Sequence, residues 1–213
     1  WMRAADEGDF DSVRFVVAGA ERVKDETRRM WAASGTVLLE GYGVTECSPV
    51  VSINTLDDNE PGTVGRPVPG QELRVDPVEG IEEGGRLFVR GPNVMAGYIY
   101  PSMPGVLVPP EDGWHDTGDI VTIDAQGFVA IKGRAKRFAK IGGEMVPHLK
   151  VEEIISSLTG GAPCAVTGLP DDRKGERLAV LYTAAGMAKD ELWRRLSETD
   201  LPKLWIPKQG DIH

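Results

Sequence analysis

Short apolar runs punctuated by glycine and proline organise this chain. Phe15-Val16-Val17-Ala18 is a continuous run ending at Gly19, the pattern of a strand buried on both faces in a parallel sheet. Glu21 to Ser34 contains neither glycine nor proline. Val23, Thr27, Met30 and Trp31 fall on one helical face there, which predicts a helix before a second strand at Val37-Leu38-Leu39. Strand, helix, strand implies α/β layering. It delivers Gly19-Ala20-Glu21 and Gly41 to Glu46 to the carboxyl edge of a sheet, the usual ligand crevice of such folds.

From Pro61 to Ile131 the texture changes to short β-like runs, such as Glu72-Leu73-Arg74-Val75 and Arg86-Leu87-Phe88-Val89-Arg90, between glycine and proline turns. This predicts a small β-barrel or open sheet. Apolar runs at Val121 to Ile123 and Phe128 to Ile131 flank Asp124 to Gly127 and predict a hairpin. Beyond Gly133, strands are predicted at Arg137 to Ile141, Pro163 to Leu169 and Arg177 to Thr183. Gly142-Gly143 reads as a turn. Helices are predicted at Leu149 to Leu158, with Val151, Ile154, Ile155 and Leu158 on one side, and at Lys189 to Ser197. The last stretch therefore reads as a small α+β domain.

The 213 residues are 41% hydrophobic and 27% charged, enough for one large or two modest domains. A net charge of -9 disfavours nonspecific binding to nucleic acid or an anionic bilayer, so no nucleic-acid partner is expected. Cys47 and Cys164 lack metal-ligand spacing and predict two buried thiols in a reduced, cytoplasmic setting. No apolar run approaches the roughly 20 residues of a membrane span, and no signal segment opens the chain. It starts at Trp1 and stops at His213 in a polar segment, which predicts a piece of something longer.

The chemistry concentrates in Leu39-Glu40-Gly41-Tyr42-Gly43-Val44-Thr45-Glu46. Gly41 and Gly43 are read as permitting backbone conformations closed to other residues, and Tyr42 as a stacking face for a purine. Thr45 offers a phosphate hydrogen bond and Glu46 a hard oxygen for magnesium. Taken alone, the same stretch equally suits a strand followed by a glycine turn.

Three later clusters bear on that choice: Gly113-Trp114-His115-Asp116-Thr117-Gly118-Asp119, Gly133-Arg134-Ala135-Lys136-Arg137 and Lys140-Ile141-Gly142-Gly143-Glu144-Met145-Val146. With Gly41 to Glu46, in this order, they resemble the adenylate-forming superfamily of acyl-CoA synthetases, peptide-synthetase adenylation domains and luciferases. Val17 to Glu21, Leu39 to Ile53, Pro61 to Arg66 and Gly133 to Met145 look like one subfamily, the acyl-acyl carrier protein synthetase domain of the bifunctional 2-acylglycerophosphoethanolamine acyltransferase.

The resemblance implies α/β and β-barrel pieces of a large adenylation domain over residues 1–132, then a small mobile α+β domain over 133–213 that stops before the family's catalytic lysine. It implies ATP and magnesium, a fatty acid, acyl carrier protein or coenzyme A as acceptor, and a lysophospholipid reached through the parent's acyltransferase domain. It places the parent on the cytoplasmic side, attached to the inner membrane through segments outside this stretch. Gly19, Ala20 and Glu21 would border the adenine, with Gly41, Tyr42 and Gly43 beside it and Tyr42 stacked. Thr45 would contact the α-phosphate, Glu46 the magnesium, and Asp119 and Arg134 the ribose. Lys136 would be the hinge, and Gly142 and Gly143 would line the pantetheine tunnel.

Two parts of the family pattern are not found in the chain. There is no Ser/Thr/Gly-rich loop to cradle the outer phosphates, and Lys203 and Lys208 lack the glycine setting of the catalytic lysine. Activity of this stretch alone is therefore expected to be slow or absent. His115 and Asp116, adjacent on a strand, point to opposite faces and predict no dyad. His148 reads as helix-terminal, Cys47 as packing, and Trp193 and Trp205 as core. The cluster of Arg134, Lys136, Arg137 and Lys140 suits either a solvated hinge surface or a dock for an acidic carrier protein or phosphate.

Overall fold

In the computed structural model, which describes residue 6, residues 8–183 and residues 186–213, the first predicted elements form β1 (Phe15–Ala18), α1 (Asp25–Ala33) and β2 (Val37–Gly43). β1 runs parallel to β2, from Phe15 opposite Val37 to Ala18 opposite Glu40. β3 (Val50–Ile53) and β4 (Arg66–Pro67) complete a sheet ordered β1-β2-β3-β4. Burial of β1 on both faces is not observed: Phe15 and Val17 are exposed, because β1 is the edge strand and α1 packs on β2. The helix also starts later than predicted. Lys24 is extended at the N-cap, so the buried Val23 lies before the helix, and Asp25 and Glu26 place their charge against its positive end.

β5 (Glu72–Asp76) and β6 (Gly85–Arg90) follow, then a two-stranded ribbon of β7 (Tyr98–Ile99) and β8 (Leu107–Val108). β9 (His115–Ile123) and β10 (Val129–Arg134) form the predicted hairpin. Its turn is built by Asp124, whose carboxylate accepts from the main-chain N–H of Gln126 at 2.9 Å and of Phe128 at 2.8 Å. These strands form an open sheet ordered β10-β9-β6-β5. The barrel alternative is corrected: among the described residues no sheet closes, since the end strands β5 and β10 do not pair, as closure requires.

The remaining elements are β11 (Phe138–Ile141), β12 (Glu144–Pro147), α2 (His148–Leu158), β13 (Cys164–Asp171), β14 (Gly175–Tyr182) and α3 (Lys189–Ser197). The strands make an antiparallel sheet ordered β12-β11-β14-β13. Arg137, predicted as the start of a strand, instead ends a short 3-10 turn over Ala135–Arg137.

By compactness the chain divides into two units. The first comprises Trp1–Val75, Leu87–Thr117 and Val121–Ile131, and the second Asp76–Arg86, Gly118–Ile120 and Lys132–His213. The first is centred on buried Cys47, Val51, Leu87, Val89, Val121 and Val129. The second has a core fed by β11, β12, β13, β14 and both of its helices, including Ile141, Val151, Ile155, Val180, Leu192 and Leu196. Trp205 packs at that core's edge, but Trp193 does not belong to it: it is 36% exposed on α3, whose buried residues are Leu192 and Leu196. Among the described residues no helix is long and apolar enough to cross a membrane.

Candidate functional site

The carboxyl ends of β1 and β2 lie side by side. A Cβ on Gly19 would come within 3.3 Å of the Gly41 carbonyl, so the two glycine segments meet at one sheet edge. Ala20 bends the chain away with a left-handed φ of 69°, unusual for a residue with a Cβ, and Glu21 is exposed just beyond. Beneath this edge Glu40 is buried and well satisfied. It accepts from Arg28 on α1 at 2.9 Å and from the Gly62 N–H at 3.3 Å. Its own carbonyl accepts from the main chain of Asn54 at 2.9 Å and from the Asn54 amide at 3.2 Å. Two hydrophilic side chains, Arg28 and Asn54, thus hold the strand end that carries the candidate site.

Gly41 and Gly43 correct the reading of their backbone. Both lie in β2, and neither has the left-handed φ that only glycine adopts readily. What Gly43 needs is space: a Cβ there would sit 2.1 Å from the Pro49 carbonyl oxygen. The strand ends at a slip in register between Tyr42 and Gly43, and a 3-10 turn over Thr45–Cys47 follows, closed by Ser48 at φ 60°. Tyr42 is half-buried against the core of the first unit. Thr45 is exposed and Glu46 half-buried on this turn.

Glu46 is held from two directions. Its carbonyl accepts from the Met95 N–H at 2.7 Å, and its carboxylate accepts from the phenol of Tyr98. That hydrogen bond, with burial and the Glu46 charge behind it, pushes the Tyr98 phenol up to about 12, so Tyr98 stays protonated and donating. Cys47, fully buried, is pushed up to about 11 by desolvation and then by the Glu46 charge, which makes it a packing thiol rather than a nucleophile. Among the described residues no group of three or more His, Cys, Asp or Glu could hold a metal alone. A single carboxylate suits magnesium, which keeps waters and takes its other oxygens from phosphate.

In the second unit, Asp119 is buried on β9 and pairs with Arg134, at the end of β10, at 3.1 Å. Two sequence clusters are thereby brought together. Lys136 is exposed on the 3-10 turn immediately after β10. Gly142 and Gly143 form the two-residue loop between β11 and β12, with φ of 61° and 92°. Positive φ at both positions is what a type I′ hairpin demands, which is a structural reason for this pair. Arg137 forms a double contact with Glu152 at 2.6 and 2.7 Å, and Lys140 meets Glu79 at 2.9 Å. Three of the four basic residues, Arg134, Arg137 and Lys140, are thus already paired with carboxylates within the unit. His148 opens α2, is buried, and burial lowers its pKa, with the Arg137 charge reinforcing the shift.

His115 is buried while Asp116 is exposed, as strand alternation requires. A cavity of about 440 Å³ in the first unit is lined by Arg74, Phe88, Tyr98, Tyr100, Trp114 and His115, among others. Arg74 lies 4.5 Å from the Phe88 ring and 4.7 Å from the Trp114 ring, an aromatic clamp that no local motif announces. Sequence reasoning also missed Arg28, Asn54 and Tyr98. The only local signal for Tyr98 was its place in a Gly-Tyr pair after a turn; its partner lies 52 residues away.

Comparison with known proteins adds independent findings. Residues 1–99 match the model of a family described as AMP-binding enzyme. A long-chain-fatty-acid–CoA ligase of Yersinia pestis is 35% identical over 209 residues, covering 92% of this chain and 37% of the ligase. One from Salmonella typhimurium is 35% identical over 212 residues, covering 96% and 37%. ATP-bound MatB from Rhodopseudomonas palustris superposes with a TM-score of 0.73 at 31% identity, over 93% of this chain and 41% of that one. The chain therefore spans about 37% of the length of these curated relatives.

Proposed function

The chain belongs to the adenylate-forming superfamily, and from that premise we propose that it is part of an ATP-dependent fatty acyl ligase that makes an acyl-adenylate and then a thioester. The observation that carries this reading is the meeting of Gly19 to Glu21 with Gly41 to Glu46 at one strand edge, where a stacking ring, a hydroxyl and a carboxylate follow one another. Residues 1–132 would then be the later part of the large adenylation domain and 133–213 its small mobile domain.

In the first step a fatty-acid carboxylate oxygen attacks the α-phosphorus of ATP, and the bond to pyrophosphate breaks with its electron pair leaving on pyrophosphate. In the second, the thiolate of the acceptor attacks the acyl carbon and AMP leaves. Gly19, Ala20 and Glu21 border the adenine, Tyr42 between Gly41 and Gly43 stacks on it, and Thr45 donates to the α-phosphate. Glu46 holds magnesium, which when bound offsets phosphate charge. Asp119 and Arg134 are assigned to the ribose, Lys136 to the hinge between the two half-reactions, and Gly142 and Gly143 to the pantetheine arm. The acceptor is read as acyl carrier protein from the subfamily motifs, with a linked acyltransferase in the parent using a lysophospholipid. Coenzyme A is the second reading, favoured by the names of the relatives at 35% identity.

Calorimetry of the 213-residue chain with ATP and magnesium tests the nucleotide site. Binding that weakens about tenfold in Glu46→Gln supports it; no binding, or binding indifferent to that change, overturns it. Pyrophosphate exchange with a long-chain fatty acid is expected to be slow or absent in this chain, since no phosphate-cradling loop is found in it. Robust exchange would refute that part. Offered preformed acyl-adenylate with both acceptors, faster thioester formation on acyl carrier protein supports the first acceptor reading, and faster formation on coenzyme A the second.

A further inference from the structure

We infer that the ribbon of β7 and β8, with the turn between them, is a lipid-docking surface whose apolar side chains enter the interfacial layer of a zwitterionic bilayer. The inference rests on the ribbon itself. The fatty acyl reading above gives it a use, since a long-chain fatty acid partitions into that same layer.

Charge sets this segment apart. From Gly91 to Pro110 there is no Asp, Glu, Lys or Arg, in a chain that is 27% charged. Its apolar side chains are not folded away. Tyr98, Ile99, Tyr100, Met103, Val106 and Leu107 are all exposed, Ile99 at 62% and Leu107 at 51%. Ile99 and Leu107 are opposite partners in the β7–β8 register, so they share one face of the ribbon. A single exposed leucine is ordinary, but large apolar side chains clustered between Tyr98 and Leu107 mark an interaction surface.

The main chain of the turn suits a layer poor in water. The Met103 N–H donates to the Tyr100 carbonyl at 2.9 Å and the Val106 N–H to the Met103 carbonyl at 3.2 Å, while Pro101 and Pro104 carry no N–H. Most of the turn's donors are thus already met or missing, which lowers the cost of stripping water from it. The root of the ribbon is fixed. A Cβ on Gly97 would lie 2.3 Å from the Val108 carbonyl oxygen, so the strands meet closely there. The Met95 N–H donates to the Glu46 carbonyl at 2.7 Å, and the Tyr98 phenol to the Glu46 carboxylate. A surface already held in shape loses little freedom on docking.

Lipid fits this ribbon better than a second protein does. A stable protein interface takes about 20–30 residues a side and has a polar rim with about ten hydrogen bonds. Here the strip is short and carries no charge, and strands of 2 residues each are too short an edge for another chain to extend. Tyr100, where β7 ends, is the residue type that settles at headgroup level. A net charge of -9 turns away anionic headgroups, so entry depends on apolar contact and the matching lipid is zwitterionic.

The test is cosedimentation of the 213-residue chain with phosphatidylcholine vesicles, without nucleotide. Binding is expected, and expected to persist at high salt because no charge drives it. Met103→Asp combined with Leu107→Asp should lower the partition coefficient about tenfold or more, with the melting temperature at its wild-type value. No binding by the wild-type chain overturns the inference, as does a double variant that binds within about twofold of wild type. Should the double variant melt lower than wild type, a dye decides. Met103→Cys in a Cys164→Ala background carries an environment-sensitive fluorophore, while Cys47, fully buried, stays unlabelled. A blue shift on adding vesicles supports docking, and cosedimentation without a shift places the contact elsewhere and overturns it. A dye already shifted before vesicles are added, in a chain that sediments as a dimer, gives the ribbon to a second copy. The same early shift seen only in a full-length protein gives it to residues outside this stretch. Either result overturns the inference. Because no nucleotide is present, a failure of this chain to bind ATP would overturn the nucleotide-site reading and leave the lipid result standing.

Discussion

The glycines of β2 and those of the β11–β12 loop are the same residue used for opposite reasons. Gly43 sits in extended backbone that any residue could adopt, yet has the Pro49 carbonyl oxygen 2.1 Å from where a Cβ would be. Gly142 and Gly143 have open space around them. The nearest atom to an added Cβ is Leu204 Cδ1 at 3.9 Å from Gly142, but both have left-handed φ. One position excludes atoms and the other excludes angles. A glycine motif therefore does not state its own cause, and the two regions respond differently to the same substitution.

The largest break in this comparison is Gly43→Ala. The clash is with rigid backbone, so the turn that carries Thr45 and Glu46 must move. Destabilisation of at least about 3 kcal/mol in urea unfolding is expected, at the upper end of overpacking costs. A cost under about 1 kcal/mol would show that the turn yields cheaply and that space is not what Gly43 provides.

In the second region the expectation is smaller and depends on side-chain chemistry. Gly142→Ala should cost about 1–2 kcal/mol, the price of left-handed backbone for an ordinary residue. Gly142→Asn should cost almost nothing, because Asn-Gly is the preferred pair of a type I′ hairpin. Equal losses for alanine and asparagine would mean that the loop is not held by its angles. That would leave close approach of a ligand as the reason for the pair, the role assigned to the pantetheine arm.

The same contrast explains what could be read from sequence. Periodicity located β1, β2, the β9–β10 hairpin and both helices of the second unit, with α3 spanning Lys189–Ser197 as predicted, because apolar spacing is a local property. Burial was not local: Phe15 and Val17 form a strand but stay exposed, since which strand lies at a sheet edge depends on partners distant in the chain. Whether the sheet of β5, β6, β9 and β10 closes is likewise a matter of how its end strands meet. At the site, Gly41, Tyr42, Gly43, Thr45 and Glu46 were visible as a run. The residues that hold them, Arg28, Asn54 and Tyr98, were not, because each hydrogen-bonds a residue 12, 14 or 52 positions away in the chain.

The smallest expected effect is at Ala20, an alanine where the angle favours glycine. Its φ of 69° puts a Cβ into left-handed backbone, which costs roughly 1–2 kcal/mol. Ala20→Gly removes that strain but frees the unfolded chain, which costs about 0.4–1 kcal/mol. The difference leaves a net stabilisation of about 0.5 kcal/mol, readable as a small upward shift in the unfolding midpoint. The strain also bears on the proposed role of Gly19 to Glu21 beside the adenine, because residues in unfavourable backbone often mark sites whose shape is preset. If the bend is preset for the nucleotide, Ala20→Gly should gain stability while ATP affinity falls, as the edge next to Gly41 becomes looser. Gain in stability with unchanged affinity would assign the bend to the chain's turn from β1 toward α1 alone. A loss of stability would show that Ala20 is not strained, and the contrast between space and angle would then rest on Gly43 and Gly142.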